Sequence, residues 1–172
     1  GGHVASGIGW ISGLLGVALG IWQSFGESWR GTYPILLHLP MPRRTIFAIK
    51  LTVGLALVWG LPVIALLVIA WWASTPGTHA SPFEWGMTTP AWNTWFAMPL
   101  VYLGAFATGL LPARWFGTRL FPLLTAAGVT AFLLLASEAG SLSSAVLFGG
   151  VLAAAAVYLV VIDHLAETRD YS

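Results

Sequence analysis

The sequence predicts an all-α, polytopic integral membrane bundle with five spans and a short cytoplasmic helix. Three observations predict it. Hydrophobic residues make up 58% of the 172 positions and charged residues only 8%, with a mean hydropathy of +0.84. A water-soluble domain usually carries about a quarter charged residues, so this chain has too little polar surface to stay in water. The few charges also cut it into apolar runs long enough to cross a bilayer, given that about 20 helical residues span the hydrocarbon core. Finally, the Lys and Arg residues fall in alternate connections. A β-barrel would need segments of about ten residues with alternating hydropathy, and none is visible.

The first expected span lies within 4–23, uncharged up to Glu27. It holds Gly9-x-x-x-Gly13 and Gly16-x-x-x-Gly20, with Ser12 four residues before Gly16. Small residues at that spacing let a second helix approach closely where lipid offers no hydrophobic drive. The approaching helix can belong to the same chain or to another subunit. A polar segment, 24–44, follows on the cytoplasmic side. Ser24 and Glu27 in it fit a capping box. Thr32 can cap a short helix in which Pro34 is tolerated in the first turn, and Pro40 with Pro42 ends that helix. Ile35, Leu36, Leu37 and Leu39 then form an apolar knob, followed by Arg43 and Arg44.

The second span, 45–73, is uncharged after Lys50 and contains Pro62, which frees a backbone carbonyl and can kink it. An external loop, 74–89, without Lys or Arg leads to the third span, 90–111. Spans at 120–136 and 142–162 complete the set, and the tail from Asp163 alternates charges. All seven basic residues, Arg30, Arg43, Arg44, Lys50, Arg114, Arg119 and Arg169, fall on one side of this alternating topology. The positive-inside rule makes that side the cytoplasm. The N-terminus of this chain is then outside, the C-terminus inside, and the expected location is the cytoplasmic (inner) membrane. Trp71, Trp72, Trp92 and Trp95 bracket the outer loop, while Trp22, Trp29, Trp115 and Phe116 mark the inner face, as an interfacial aromatic belt does. The chain opens Gly1-Gly2-His3 without a Met or a basic n-region. It is therefore expected to be an N-terminally truncated piece, in which one preceding helix would make six spans.

The motifs for chemistry are sparse. No ionisable residue sits near the centre of a span, where proton relays and ion paths would need one. No Cys is present, which removes disulfides, thiolate catalysis and Cys-ligated metals. There is no H-E-x-x-H, no G-x-S-x-G and no G-x-x-x-x-G-K-[ST], so the chain is expected to be no enzyme and to hydrolyse no ATP itself. His38 with His164 is the one cytoplasmic pair that can face a haem, and no spacing motif supports ligation there. Glu84 and Glu138 can meet on the outer side, where loop acids are ordinarily solvated. A net charge of +1 with scattered basic residues is no nucleic-acid footprint.

The segment from Glu27 to Lys50 resembles that of permease subunits of ABC-2 type ATP-driven transporters. In them an acidic residue precedes Gly-Thr, a Leu-Leu-rich short helix, a Pro, a basic pair and a Lys entering the next span. The matching positions are Glu27, Gly31, Thr32, Leu36, Leu37, Pro40, Arg43, Arg44 and Lys50. Pro34, His38 and Pro42 depart from that pattern. The resemblance implies that Thr32–Leu39 is a coupling helix docking on a separate cytoplasmic ATPase subunit. It also implies that ATP and Mg are bound by that partner with no cofactor in this chain, and that a second permease copy or a paralogue completes the path. A different reading is a non-transporting membrane scaffold or assembly factor, whose apolar knob binds a cytosolic partner or the lipid surface.

Overall fold

The computed structural model describes residues 2–30, 43–75, 77, 84–111 and 116–168. They form five α-helices: α1 (Gly2–Arg30), α2 (Arg43–Ser74), α3 (Thr89–Leu110), α4 (Phe116–Glu138) and α5 (Ser144–Thr168). A 3-10 turn, Trp85–Thr88, leads into α3, and no strand occurs among the described residues. Each helix overlaps one of the expected spans. Three of them, over Thr45–Ser74, Thr118–Glu138 and Ser144–Glu167, are long and apolar enough to cross a membrane. In α1 the corresponding apolar stretch is the shorter Ile11–Ser24.

Helix α3 occupies the centre. Every residue from 99 to 110 is buried, and α3 packs against each of the other four helices. Its outer neighbours turn large apolar side chains away from the bundle, among them Leu67 and Val68 on α2, Phe132 and Leu135 on α4, and Leu152 and Val160 on α5. A water-facing surface of that kind would aggregate, whereas hydrocarbon accepts it without cost. Helix α3 carries Asn93, Thr94 and Thr108 on the faces that its neighbours cover.

The contacts fix the direction of every helix relative to α3. Gly13 lies beside Met98, Gly20 beside Ala105 and Ser24 beside Gly109, so α1 runs parallel to α3. Gly54 faces Tyr102, while the Trp59 carbonyl accepts from the Trp95 indole at 2.9 Å, so α2 runs antiparallel. Helix α4 is antiparallel as well, with Leu123 bonded to Thr108 and Ser137 to Asn93. Helix α5 is parallel, because Leu147 packs with Ala97 and Ile162 lies in the cluster of Leu110. The alternation places Arg30, Arg43, Arg44, Lys50 and Arg119 at one end of the bundle.

One local expectation is corrected. Ser24 and Glu27 do not form a capping box, because α1 continues through both to Arg30. Ser24 is buried against Gly109, and its hydroxyl donates to the Gly20 carbonyl at 2.6 Å. A Ser with no water nearby meets its need for an acceptor one turn back in its own helix, and so starts no new one. Trp92 and Trp95 also pack against other rings of the bundle. Trp95 packs edge-on against Trp92 and tilted against Trp59 and Phe96, whose ring lies 4.5 Å from that of Phe148. This aromatic cluster joins α2, α3 and α5 beside Pro62, and the indole of Trp95 satisfies a carbonyl one turn before that proline.

The α1–α3 crossing is a close one. A Cβ on Gly20 would stand 2.7 Å from Ala105 Cβ and 2.9 Å from the Tyr102 carbonyl oxygen. Gly20→Ala is expected to cost about 1–3 kcal/mol by overpacking. Gly128→Ala, on open surface, is expected to stabilise α4 by about 0.5–1 kcal/mol. Reversible unfolding in mixed detergent micelles measures both.

Candidate functional site

Four residues of the coupling-segment resemblance, Glu27, Arg43, Arg44 and Lys50, lie at the charged end of the bundle. Glu27 lies in the last turn of α1, and Arg43 with Arg44 opens α2. Gly31, Thr32, Leu36, Leu37 and Pro40 lie outside the described residues, as does the expected short helix over Thr32–Leu39. Lys50 stands two turns into α2, its Nζ 5.9 Å from the centroid of the Phe47 ring, within cation–π range. Phe47 is itself buried with Phe106 and Leu110 of α3 and with Ile162 and Ala166 of α5. The start of α2 is thus pinned to the central helix by an aromatic side chain. Asp163, His164 and Glu167 of α5 come to the same end, next to those buried positions.

The other flank of the segment is pinned too. Gly13, Gly16 and Gly20 face Met98, Tyr102 and Ala105 of α3; Gly9 lies on α1 one turn before Gly13. Above the joint, the Tyr102 hydroxyl donates to Gln23 Oε1 at 2.8 Å. Gly54 of α2 makes this possible, since a Cβ there would collide with the Tyr102 hydroxyl and with Gln23 Oε1. One hydrogen bond therefore sits where α1, α2 and α3 meet, and any relative slide of α1 and α2 must break or carry it. Sequence reading passed over Gln23, Gly54 and Tyr102. Their only signal was a lone Gln closing an apolar run and a mid-helix Gly without a small partner four residues away.

A second polar node lies on the far side of α3. Pro122 has no N–H to give within α4, and beside it the Leu123 N–H donates to Thr108 Oγ1 at 3.1 Å. Thr108 passes its own proton to the Gly104 carbonyl at 2.9 Å. The Tyr158 hydroxyl of α5 donates to the Pro122 carbonyl at 2.7 Å and lies 2.6 Å from Thr125 Oγ1. The proline thus becomes a three-helix junction.

The opposite end of the bundle holds a cavity of about 370 Å³ between the ends of α3, α4 and α5. Thr89, Asn93, Ser137, Glu138, Ser143 and Ser144 supply its polar lining. Helix α4 ends there in a Schellman turn, with Gly140 at φ +73° and the Ser141 N–H bonded to the Ala136 carbonyl. Asn93 is 6% exposed; its Nδ2 donates to Ser137 Oγ at 3.2 Å, and its Oδ1 has no partner among the described residues. A buried acceptor left unpaired costs about 1–3 kcal/mol.

The joint above the charged end is testable through its strain. Tyr102→Phe alone is expected to cost about 1 kcal/mol, and Gly54→Ala about 1–3 kcal/mol. The double variant should lose less than their sum, because the phenylalanine lacks the hydroxyl that the added methyl strikes. A double-mutant cycle by unfolding in micelles measures the coupling. Compared with protein-family models, with curated proteins and with solved structures, the chain matches none of them.

Proposed function

We propose that this chain is the membrane permease subunit of an ABC-2 type ATP-driven exporter, coupled through residues 24–44 to a separate cytoplasmic ATPase. The observation that carries the reading is the run Glu27, Gly31-Thr32, Leu36-Leu37, Pro40, Arg43-Arg44 and Lys50. It bridges two helices whose facing ends are each anchored to α3, α1 through its small residues and α2 through Phe47. The reading rests on these two dozen residues and not on whole-chain similarity.

In this reading the five helices cross the cytoplasmic membrane with the charged end inside, as the positive-inside rule requires. Closure of the ATPase pair pushes the apolar knob around Leu36 and Leu37. Because α1 and α2 are held to the central helix, the push moves the bundle as a body instead of bending one span. The centre of a single chain is filled by α3, so the path lies between two copies, or between this chain and a paralogue. ATP and Mg belong to the partner, and this chain supplies no covalent step.

The test is co-purification in detergent of the full-length protein, as wild type and as Leu36→Glu/Leu37→Glu. An ATPase subunit is expected with the wild type and not with the variant, while both remain folded and membrane-inserted. A wild type that brings down no ATPase refutes the exporter reading and favours a membrane scaffold.

A further inference from the structure

We propose that Tyr102, Gln23 and Gly54 form a latch on the seam between α1 and α2, with two favoured positions: shut, as here, and parted by the width of a water molecule. The latch belongs to the bundle alone and its test needs no partner, so it stands or falls apart from the exporter reading.

The two sides of α1 are held in different ways. Against α3 it makes backbone-close contacts, Gly16, Gly20 and Ser24 meeting Tyr102, Ala105 and Gly109. Dense contact of that kind holds helices together in lipid by itself. Between α1 and α2, the space at Gly54 is taken by two polar groups, the Tyr102 hydroxyl and Gln23 Oε1, bonded at 2.8 Å. Around them Leu19 of α1 and Leu51 and Leu55 of α2 pack on the cluster that contains Tyr102. Hydrocarbon can replace such apolar contacts when two helices part. It cannot replace the acceptor of a hydroxyl.

The two partners differ in their surroundings. Gln23 is half-buried, whereas Tyr102 is wholly buried with its hydroxyl abutting the Gly54 position. For a water to take over from Gln23 as acceptor, α2 must draw back by about 3 Å, the diameter of a water. The charged end, about 10 Å along α1 at Arg30, supplies that water. At any smaller opening the hydroxyl is a buried donor without a partner, which is the costly condition. Two favoured positions flank an unfavoured one, and the seam moves between them as a switch does.

Each residue therefore has its own effect. Gln23→Leu takes the acceptor from the shut position and favours the parted one. Gly54→Ala sets a methyl where the bonded pair sits and drives α2 the same way. Tyr102→Phe breaks the same hydrogen bond but removes the group that needs a partner, so the seam stays shut. Simple glue would behave otherwise, opening on the loss of either partner.

The experiment uses the full chain in nanodiscs. It has no Cys, so Ile21→Cys on α1 and Val53→Cys on α2, both exposed, carry nitroxide labels whose separation is read by electron paramagnetic resonance. A control pair, Leu14→Cys on α1 and Phe132→Cys on α4, both exposed, reports on the rest of the bundle. The parent chain and Tyr102→Phe are expected to show one short separation. Gln23→Leu and Gly54→Ala should each add a population longer by about 3 Å, with the control pair unmoved. The latch is refuted if those two variants keep the short separation or if Tyr102→Phe lengthens it as they do. It is equally refuted if the control pair moves with the test pair, since the change is then a general loosening.

Discussion

Helices that associate in hydrocarbon gain nothing from hiding apolar surface, so they must come close enough for dense contact or share hydrogen bonds. Everything in this bundle depends on how nearly α1 approaches α3. Gly16, Gly20 and Ser24 on one helix meet Tyr102, Ala105 and Gly109 on the other. A methyl added at Gly20 or Gly109 has nowhere to go. That approach sets the depth of α1, and through the Tyr102–Gln23 bond it sets the position of α2 against Gly54 as well. With both helices fixed to α3, the connection between them emerges from a rigid base.

Prolines contribute in the opposite sense. Pro62 and Pro122 each interrupt a ladder in an apolar environment, where an unsatisfied carbonyl or amide is costly. Near Pro62 the Trp95 indole donates to the Trp59 carbonyl, and near Pro122 the Thr108 hydroxyl accepts from the Leu123 amide while the Tyr158 hydroxyl donates to the Pro122 carbonyl. Each of these bonds comes from a neighbouring helix. Two such interhelical junctions beside prolines, on different sides of α3, add to its central role.

Much of this could be read from the sequence because apolar runs and breaks are local. Helices α2 and α5 overlap 45–73 and 142–162, and the alternation of basic connections agrees with the helix directions. The stripe of Gly13, Gly16 and Gly20 was visible as spacing, though not the helix it meets, since 3.6-residue periodicity names a face and not its neighbour. Ser24 misled because Ser followed by Glu three residues later is a helix start in water and an ordinary interior pair in an apolar helix. The centrality of α3 was hidden for a related reason. A run of apolar residues looks the same whether lipid or protein covers it, and Tyr102 and Gln23 are 79 positions apart. The cavity arises from three helix ends that no linear pattern brings together. The apolar knob over Leu36 and Leu37 was legible as composition alone, and its placement lies outside the described residues.

The claim on which the account turns is that the glycine stripe of α1 packs within the chain and not against a second subunit. The chain has no Cys of its own, so a pair introduced as Gly16→Cys and Tyr102→Cys reports on that contact alone. A Cβ at Gly16 stands 3.5 Å from Tyr102 Cβ, within the range of about 3.5–4.5 Å that a disulfide needs. With a membrane-permeant oxidant the account predicts an intramolecular disulfide, seen as a faster-migrating monomer that reverts on reduction. Cross-linked dimers in place of that monomer, or no cross-link at all, would contradict it.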